Sequence, residues 1–400
     1  SMSATRRVHI YPFEGEVDGL EIHPKFAELR ETDPLARVRL PYGGEGWMVT
    51  RYDDVRAANS DPRFSRAQIG EDTPRTTPLA RRSDTILSLD PPEHTRLRRL
   101  LSKAFTARRM GAMQSWLEEL FAGLLDGVER TGHPADIVRD LAQPFTIAVI
   151  CRLLGVPYED RGRFQHWSEV IMSTTAYSKE EAVSADASIR AYLADLVSAR
   201  RAAPHDDLLG VLVSARDDDD RLTEDELITF GVTLLVAGHE TSAHQLGNMV
   251  YALLTHEDQL SLLREQPELL PRAVEELLRF VPLGNGVGNA RIALEDVELS
   301  GGTVRAGEGV VAAAVNANRD PRAFDDPDRL DITREKNPHL AFGHGAHYCL
   351  GAQLARMELR VAIGGLLERF PGLRLAVPAD QVEWKTGGLF RGPQRLPIAW

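Results

Sequence analysis

Residues 223–254 carry an apolar pattern that only a long, largely buried helix accommodates. Thr223-x-x-Glu226 is a capping box, in which two side chains satisfy backbone donors at the helix start. Apolar residues then continue through Ile228, Phe230, Leu234, Leu235, Val236, Leu246, Met249, Val250, Leu253 and Leu254. The span is about eight helical turns, long enough to cross a whole domain. The rest of the chain must pack around that rod.

The chain has 400 residues, 43% hydrophobic and 26% charged, an ordinary composition for a globular protein with a large core. No linker, repeat or low-complexity block marks a boundary, so residues 1–400 read as one domain. Lys plus Arg is 47 against 59 Asp plus Glu, a net charge of −12. Such a chain is poorly suited to nucleic acid, whose phosphates attract cations. No run approaches the ~18 apolar residues of a membrane span. Ser1 before Met2 reads as a cloning remnant, and no signal-peptide stretch follows it. With only Cys151 and Cys349, a disulfide framework is not expected, and a cytoplasmic location fits.

Val38-Arg39-Leu40 and Trp47-Met48-Val49 flank turn residues 41–44 and read as a hairpin. Residues 61–92 read as a long loop. From Glu93 to about Gln266 the pattern is mostly helical. Leu117, Leu120, Phe121, Leu124 and Leu125 have amphipathic spacing, and Thr146–Leu154 is apolar nearly all round. Cys151, inside that stretch, reads as a packed core residue. Asp217–Asp220 reads as a solvated loop. Residues 271–280 form a shorter helix, 281–315 short strands and turns, 352–370 a helix, and the tail from Gly372 strands and turns. The class is mainly α with a small β portion.

The chemistry concentrates in Phe342-Gly343-His344-Gly345-Ala346-His347-Tyr348-Cys349-Leu350-Gly351. A glycine-rich loop delivers one cysteine to the start of a helix at Ala352. A helix N-terminus carries partial positive charge and unpaired N–H groups, which lower a thiol's pKa. The glycines let the backbone approach a flat ligand and donate N–H bonds to sulfur. Phe342 offers an apolar wall. On residue types alone, Cys349 is a free buried cysteine, a thiolate ligand, or a nucleophile paired with His. A zinc site with His339, His344 and His347 is a further reading, although their spacing matches no common zinc pattern.

The ten-residue pattern resembles the haem-binding signature of the cytochrome P-450 superfamily at every specified position from Phe342 to Gly351. The resemblance extends over nearly the whole chain, to a soluble bacterial member of actinobacterial type. It implies a triangular, helix-rich fold with haem b (iron protoporphyrin IX) between the long helix and the helix after the Cys loop. Cys349 is then the metal ligand. Glu276-x-x-Arg279 matches the family's buried pair, and Arg329 takes the place of its third member. Ala237-Gly238-His239-Glu240-Thr241-Ser242 is similar to the oxygen-binding stretch. There Ala237 and Gly238 would leave room for O2, Glu240 would relay protons, and Thr241 would open a helix hydrogen bond and orient water. A zinc-protease reading of His239-Glu240 fails, because Ala243 stands where the second histidine is required. His94, Arg98, Arg291 and His347 are the candidates for the haem propionates.

The implied activity is a haem-thiolate monooxygenase. It inserts one oxygen atom from O2 into an apolar small molecule, by hydroxylation or epoxidation, to tailor a polyketide, macrolide or terpenoid. Electrons from NAD(P)H would arrive through an external ferredoxin and ferredoxin reductase, since no flavin or iron–sulfur domain is evident. Part of the basic cluster Arg96, Arg98, Arg99, Lys103, Arg108 and Arg109 would dock the ferredoxin. The substrate wall is expected from Ile86, Leu87, Met172, Val236, Val281, Leu283, Asn285, Val287, Leu389 and Phe390. A monomer is expected, without membrane or nucleic acid. A peroxide-dependent or non-oxygenating haem-thiolate enzyme and a non-catalytic haem-binding, partner-recruiting module are the alternatives. Dependence on Thr241 separates the first, and the Glu240-Thr241 pair argues against the second.

Overall fold

The computed structural model describes residues 6–15, 17–78, 89–103, 105–173, 175–203, 207–217, 222–284, 287–288, 290–386 and 388–400. The helices are α1 (Pro24–Thr32), α2 (Tyr52–Ser60), α3 (Glu93–Ser102), α4 (Ala107–Thr131), α5 (Gln143–Leu154), α6 (Arg161–Ile171), α7 (Lys179–Ala202), α8 (Leu208–Asp217), α9 (Glu224–Leu254), α10 (Glu257–Glu265), α11 (Leu270–Phe280), α12 (Ala314–Ala317) and α13 (Ala352–Arg369). The strands are β1 (Val8–Ile10), β2 (Leu35–Arg39), β3 (Glu45–Val49), β4 (Phe64–Ser65), β5 (Ala135–Asp136), β6 (Arg291–Ala293), β7 (Val297–Leu299), β8 (Gly302–Val304), β9 (Gly309–Ala312), β10 (Arg374–Leu375) and β11 (Pro397–Ala399). The mainly α class holds.

α9 starts where the capping box places it. Glu226 N–H donates to Thr223 Oγ1 at 3.0 Å, and Thr223 N–H donates to Glu226 Oε1 at 2.9 Å. The helix then serves two cores. Its first half puts Leu227, Phe230, Leu235 and Val236 into a cluster with α3, α5, α6, α7 and α8. Its second half puts Leu246, Met249, Val250 and Leu253 into a cluster with α4, α11 and α13. Each such side chain contributes about 1.5–3 kcal/mol on burial. Residues 237–245 belong to neither cluster, so the polar stretch sits where the two cores part.

α5 is buried along most of its length, including Cys151, whose thiol burial pushes up to about 12. A π-helical stretch, Ile137–Ala142, leads into it. In α4, Leu117, Phe121 and Leu125 are buried, as the amphipathic spacing requires. Asp217 ends α8 rather than lying in a loop, and Asp218–Asp220 fall outside the described residues.

The main sheet has the order β1-β2-β3-β9-β6-β4. β2 and β3 pair antiparallel around residues 40–44, the expected hairpin, while β1–β2 and β3–β9 are parallel. Two smaller sheets, β10-β11-β5 and β7-β8, complete the β portion. Among the described residues, no helix is long and apolar enough to cross a membrane.

Candidate active site

The loop before α13 is held by its own backbone. Gly343 N–H donates to Leu340 O at 3.0 Å, Tyr348 N–H to Gly345 O at 3.0 Å, and Cys349 N–H to Phe342 O at 2.8 Å. Gly343 and Gly345 have φ of 81° and 76°, a region that favours glycine. A Cβ on Gly345 would also stand 2.9 Å from Asn59 O. Gly351 differs: its φ is −89° and a Cβ would meet nothing within 4 Å. What Gly351 supplies is its N–H, bonded to the Cys349 sulfur.

Cys349 is exposed at its surface, yet its thiol is desolvated by the protein around it. Burial raises its thiol pKa by more than the Gly351 N–H and the nearby Arg98 and Arg356 lower it. The expected depression is therefore corrected. The cation and N–H are present, but desolvation wins while the sulfur carries its proton.

Behind the loop lies a charged frame. Arg356 forks onto Glu275 at 3.0 and 2.8 Å, donates to Tyr348 Oη at 2.9 Å, and places its guanidinium 4.8 Å from the Phe342 ring. His339 Nε2 meets Glu275 at 3.0 Å, which engages it away from any shared zinc site. One residue along, Glu276 and Arg279 form a fully buried pair at 2.6 Å, so this is no surface ion pair. The third member is Arg334, whose Nε donates to Glu276 at 2.9 Å. The expected Arg329 is exposed and contributes only its carbonyl, which accepts from Arg279 at 3.0 Å. Spacing pointed to the nearer arginine, but the turn at Asp331–Arg334 brings the later one inward.

The four expected cationic groups converge on one place. Buried His94 lies ring to ring with His347 at 4.2 Å. Burial, aided by Arg66, His94 and Arg291, drives the His347 pKa down to about 2, so it offers a neutral ring rather than a charge. His347 Nδ1 is buried with no hydrogen-bond partner among the described residues. Arg98, half-buried on α3, has no ion pair among the described residues and feels Cys349. Arg291 is 5% exposed, donates to Asn59 O at 2.9 Å, and is lowered to about 10 by burial. Sequence reasoning missed Arg66 and Asp90. Asp90 accepts from Ser65 Oγ at 2.5 Å and from Arg66 N–H at 2.9 Å, which ties β4 to the start of α3 and brings Arg66 into the cluster. An orphaned ring nitrogen beside Arg98 and Arg291 fits a ligand bearing carboxylates.

On α9, Thr241 Oγ1 donates to Ala237 O at 2.5 Å. Ala237 is exposed on that face. Gly238 is not: its missing Cβ points at Ile150 of α5, where an added carbon would stand 2.4 Å from Cδ1. Gly238 therefore serves the α5–α9 contact, which corrects its expected role of making room for O2. Glu240 is 12% exposed, 3.5 Å from His239 Nε2 and 3.6 Å from His244 Nδ1. Burial raises its pKa, but His239, His244 and Lys385 together hold it below the ordinary carboxylate range.

Backbone pairing assembles part of the expected substrate wall. Leu389 N–H donates to Met172 O at 2.8 Å, and Arg391 N–H donates to Leu283 O at 2.7 Å. Phe390, bridged to Gly284, sits 6.1 Å from the His244 ring. Val236, Val281 and Val287 are buried in three different core clusters, which makes them packing residues first. Ile86, Leu87 and Asn285 lie outside the described residues.

The cytochrome P-450 family profile matches residues 165–386. The chain belongs to the cytochrome P-450 family. It is 55% identical over 392 residues to nocardicin C N-oxygenase of Nocardia uniformis subsp. tsuyamanensis, covering 98% of each chain. It is 49% identical to the mycinamicin IV hydroxylase/epoxidase of Micromonospora griseorubida, again over 98% of each. Among solved structures it matches the LnmA cytochrome P-450 hydroxylase from the leinamycin biosynthetic pathway of Streptomyces atroolivaceus. That match has 99% identity and a TM-score of 0.92, over 98% of this chain and 100% of that one. The fold is therefore the bacterial P-450 fold, and the protein is a P-450 monooxygenase. Membership implies haem and O2, and the cation cluster and the Cys349 loop fit that group.

Proposed function

We propose that the protein oxygenates an apolar natural product, by hydroxylation or epoxidation, and that Cys349 would hold its haem through the thiolate sulfur. The observation that carries this is local. One sulfur, bonded by the Gly351 N–H, lies within the field of Arg98, a residue of the same cluster that suits the propionates. His94, Arg98, Arg291 and His347 would hold those carboxylates, and Arg66 adds to the field. The haem, when bound, supplies reductive activation of O2 and insertion of one oxygen atom. The chain's own part is to bind, orient and move protons. Glu240 and Thr241 stand at the break between the two cores and would deliver protons there. Met172, Leu283, Leu389 and Phe390 would present the substrate to that face.

Relatives that act, by name, on nocardicin C and mycinamicin IV, and one from leinamycin biosynthesis, support a substrate of the antibiotic or polyketide class. Electrons would come from NAD(P)H through a ferredoxin and its reductase. Exposed Arg99 on α3 and Lys103 just after it suit an acidic ferredoxin, whereas Arg96 is engaged with Glu226 at 3.1 Å. A monomeric, cytoplasmic enzyme of one catalytic domain fits this reading. The test is turnover under 18O2 with ferredoxin, reductase and candidate natural products chosen by spin shift. One labelled oxygen atom per product molecule is expected. Product that forms equally well with peroxide alone would favour the peroxide-dependent alternative.

A further inference from the structure

Three titratable side chains of α9, His239, Glu240 and His244, meet in a largely buried place that no ordinary helix surface needs. His239 is 2% exposed, and its Nδ1 lies 2.7 Å from Leu235 O. A carbonyl only accepts, so Nδ1 carries the hydrogen. In the neutral ring Nε2 is then a bare lone pair. That atom is buried, has no hydrogen-bond partner among the described residues, and stands 3.5 Å from Glu240 Oε1. Two lone pairs facing each other away from water are unfavourable, and one proton between them removes the conflict.

The other neighbours do not supply that proton. His244 Nδ1 bonds Glu240 O at 2.6 Å, so its hydrogen is directed to the backbone, and it reaches Oε2 only at 3.6 Å. Lys385, from the segment before β11, acts on Glu240 through its positive field. From α6, the uncharged Phe164 ring faces His239, at 5.9 Å. We propose that His239 Nε2 and Glu240 Oε1 hold one proton between them, which makes His239 the positioning residue that keeps Glu240 ready to deliver it. On delivery the N–H bond at Nε2 breaks as an O–H bond forms at Oε1, and that O–H bond then breaks as its proton passes into the chamber, leaving Glu240 ionised. His239 is left neutral with Nδ1–H still on Leu235 O, and one proton from water restores the pair. The inference rests on the proton-delivery reading of Glu240, which the test separates from it.

Infrared and 15N-histidine spectra of the diamagnetic ferrous carbonyl form read the proton directly. Either both ring nitrogens of His239 are protonated, or a carboxylic band is present that Glu240→Gln removes. A neutral Nδ1–H ring together with an ionised Glu240 overturns the proposal. In turnover, His239→Gln keeps a polar side chain but cannot titrate. It is expected to lower product formed per NADPH by about tenfold toward alkaline pH and to raise the solvent isotope effect. A wild-type pH profile in His239→Gln, alongside a defect in Glu240→Gln, sinks this proposal alone. No defect in Glu240→Gln sinks the reading beneath it. The spectra decide the matter even if a variant fails to fold.

Discussion

Arg279 grips both carboxylate oxygens of Glu276, at 2.6 and 3.0 Å, with neither side chain exposed to solvent. Arg279 is further held by the carbonyls of Asn318, Pro327 and Arg329, and Glu276 by Arg334 and the Asp331 N–H. The pair thereby ties α11 to the long connection that leads into the Cys349 loop. A buried ion pair this fully bonded is costly to break from one side, because the remaining charge has no water to turn to.

Glu276→Ala and Arg279→Ala should each destabilise the fold by about 3–5 kcal/mol in denaturant unfolding. Arg334→Ala should cost less, since Arg279 remains. Arg329→Ala should stay within about 0.5 kcal/mol of wild type, because only its backbone is used. Equal losses at Arg329 and Arg334 would contradict the assignment of Arg334 as the third member.

Gly238 and Ile150 should be coupled. Alanine gains about 1 kcal/mol of helix propensity over glycine, but its Cβ has no room against Ile150. Gly238→Ala is expected to be net destabilising in wild type and close to neutral or stabilising in Ile150→Val. A double-mutant cycle in unfolding free energy measures this, and strict additivity would show that the two do not touch.

The Glu275 carboxyl carries a pH signature. Burial raises its pKa, yet hydrogen bonds from His339 and Arg356 overcome that and hold it at about 2, below the ordinary carboxylate range. Its stabilising contribution is thus complete above about pH 4.5 and fades as pH falls toward about 2. The stability gap between wild type and Glu275→Gln, followed by urea unfolding, should be widest near neutrality and narrow below about pH 4. A gap that widens on acidification would reverse the sign and refute the account.

Arg98 and His94 should matter for keeping the haem more than for folding. Charge-assisted hydrogen bonds contribute about 1.5–3 kcal/mol, so Arg98→Leu should lose haem to apomyoglobin at least about tenfold faster. Its helical circular dichroism should be unchanged. Haem loss at the wild-type rate would remove Arg98 from the propionate set.

The elements legible in the sequence are those whose signals are local. The Thr223 capping box and the apolar series to Leu254 specify α9 without help from the rest of the chain, and the residues around Gly43 specify the hairpin. The Cys349 loop was legible because its glycines, aromatic and thiol sit within ten residues. What escaped depends on chain path. α2 has nine residues and β1 three, so each offers too few positions for a period to stand out. Arg334 displaced Arg329 through the geometry of a turn. Gly238 looked like space beside a ligand, but which face a missing Cβ leaves open is decided by Ile150 on another helix. The meeting of residues 172–173, 283–284 and 388–391 is long-range pairing, which no window along the chain reveals.

The central claim is that the Cys349 sulfur ligates the haem iron, and the absorption spectrum of the reduced, carbon monoxide-bound protein tests it most directly. The account predicts the strongly red-shifted Soret band of a thiolate ligand, lost in Cys349→Ala and retained in Cys151→Ala. A band of the imidazole type in wild-type protein, or a purified protein that holds zinc and no haem, would contradict it.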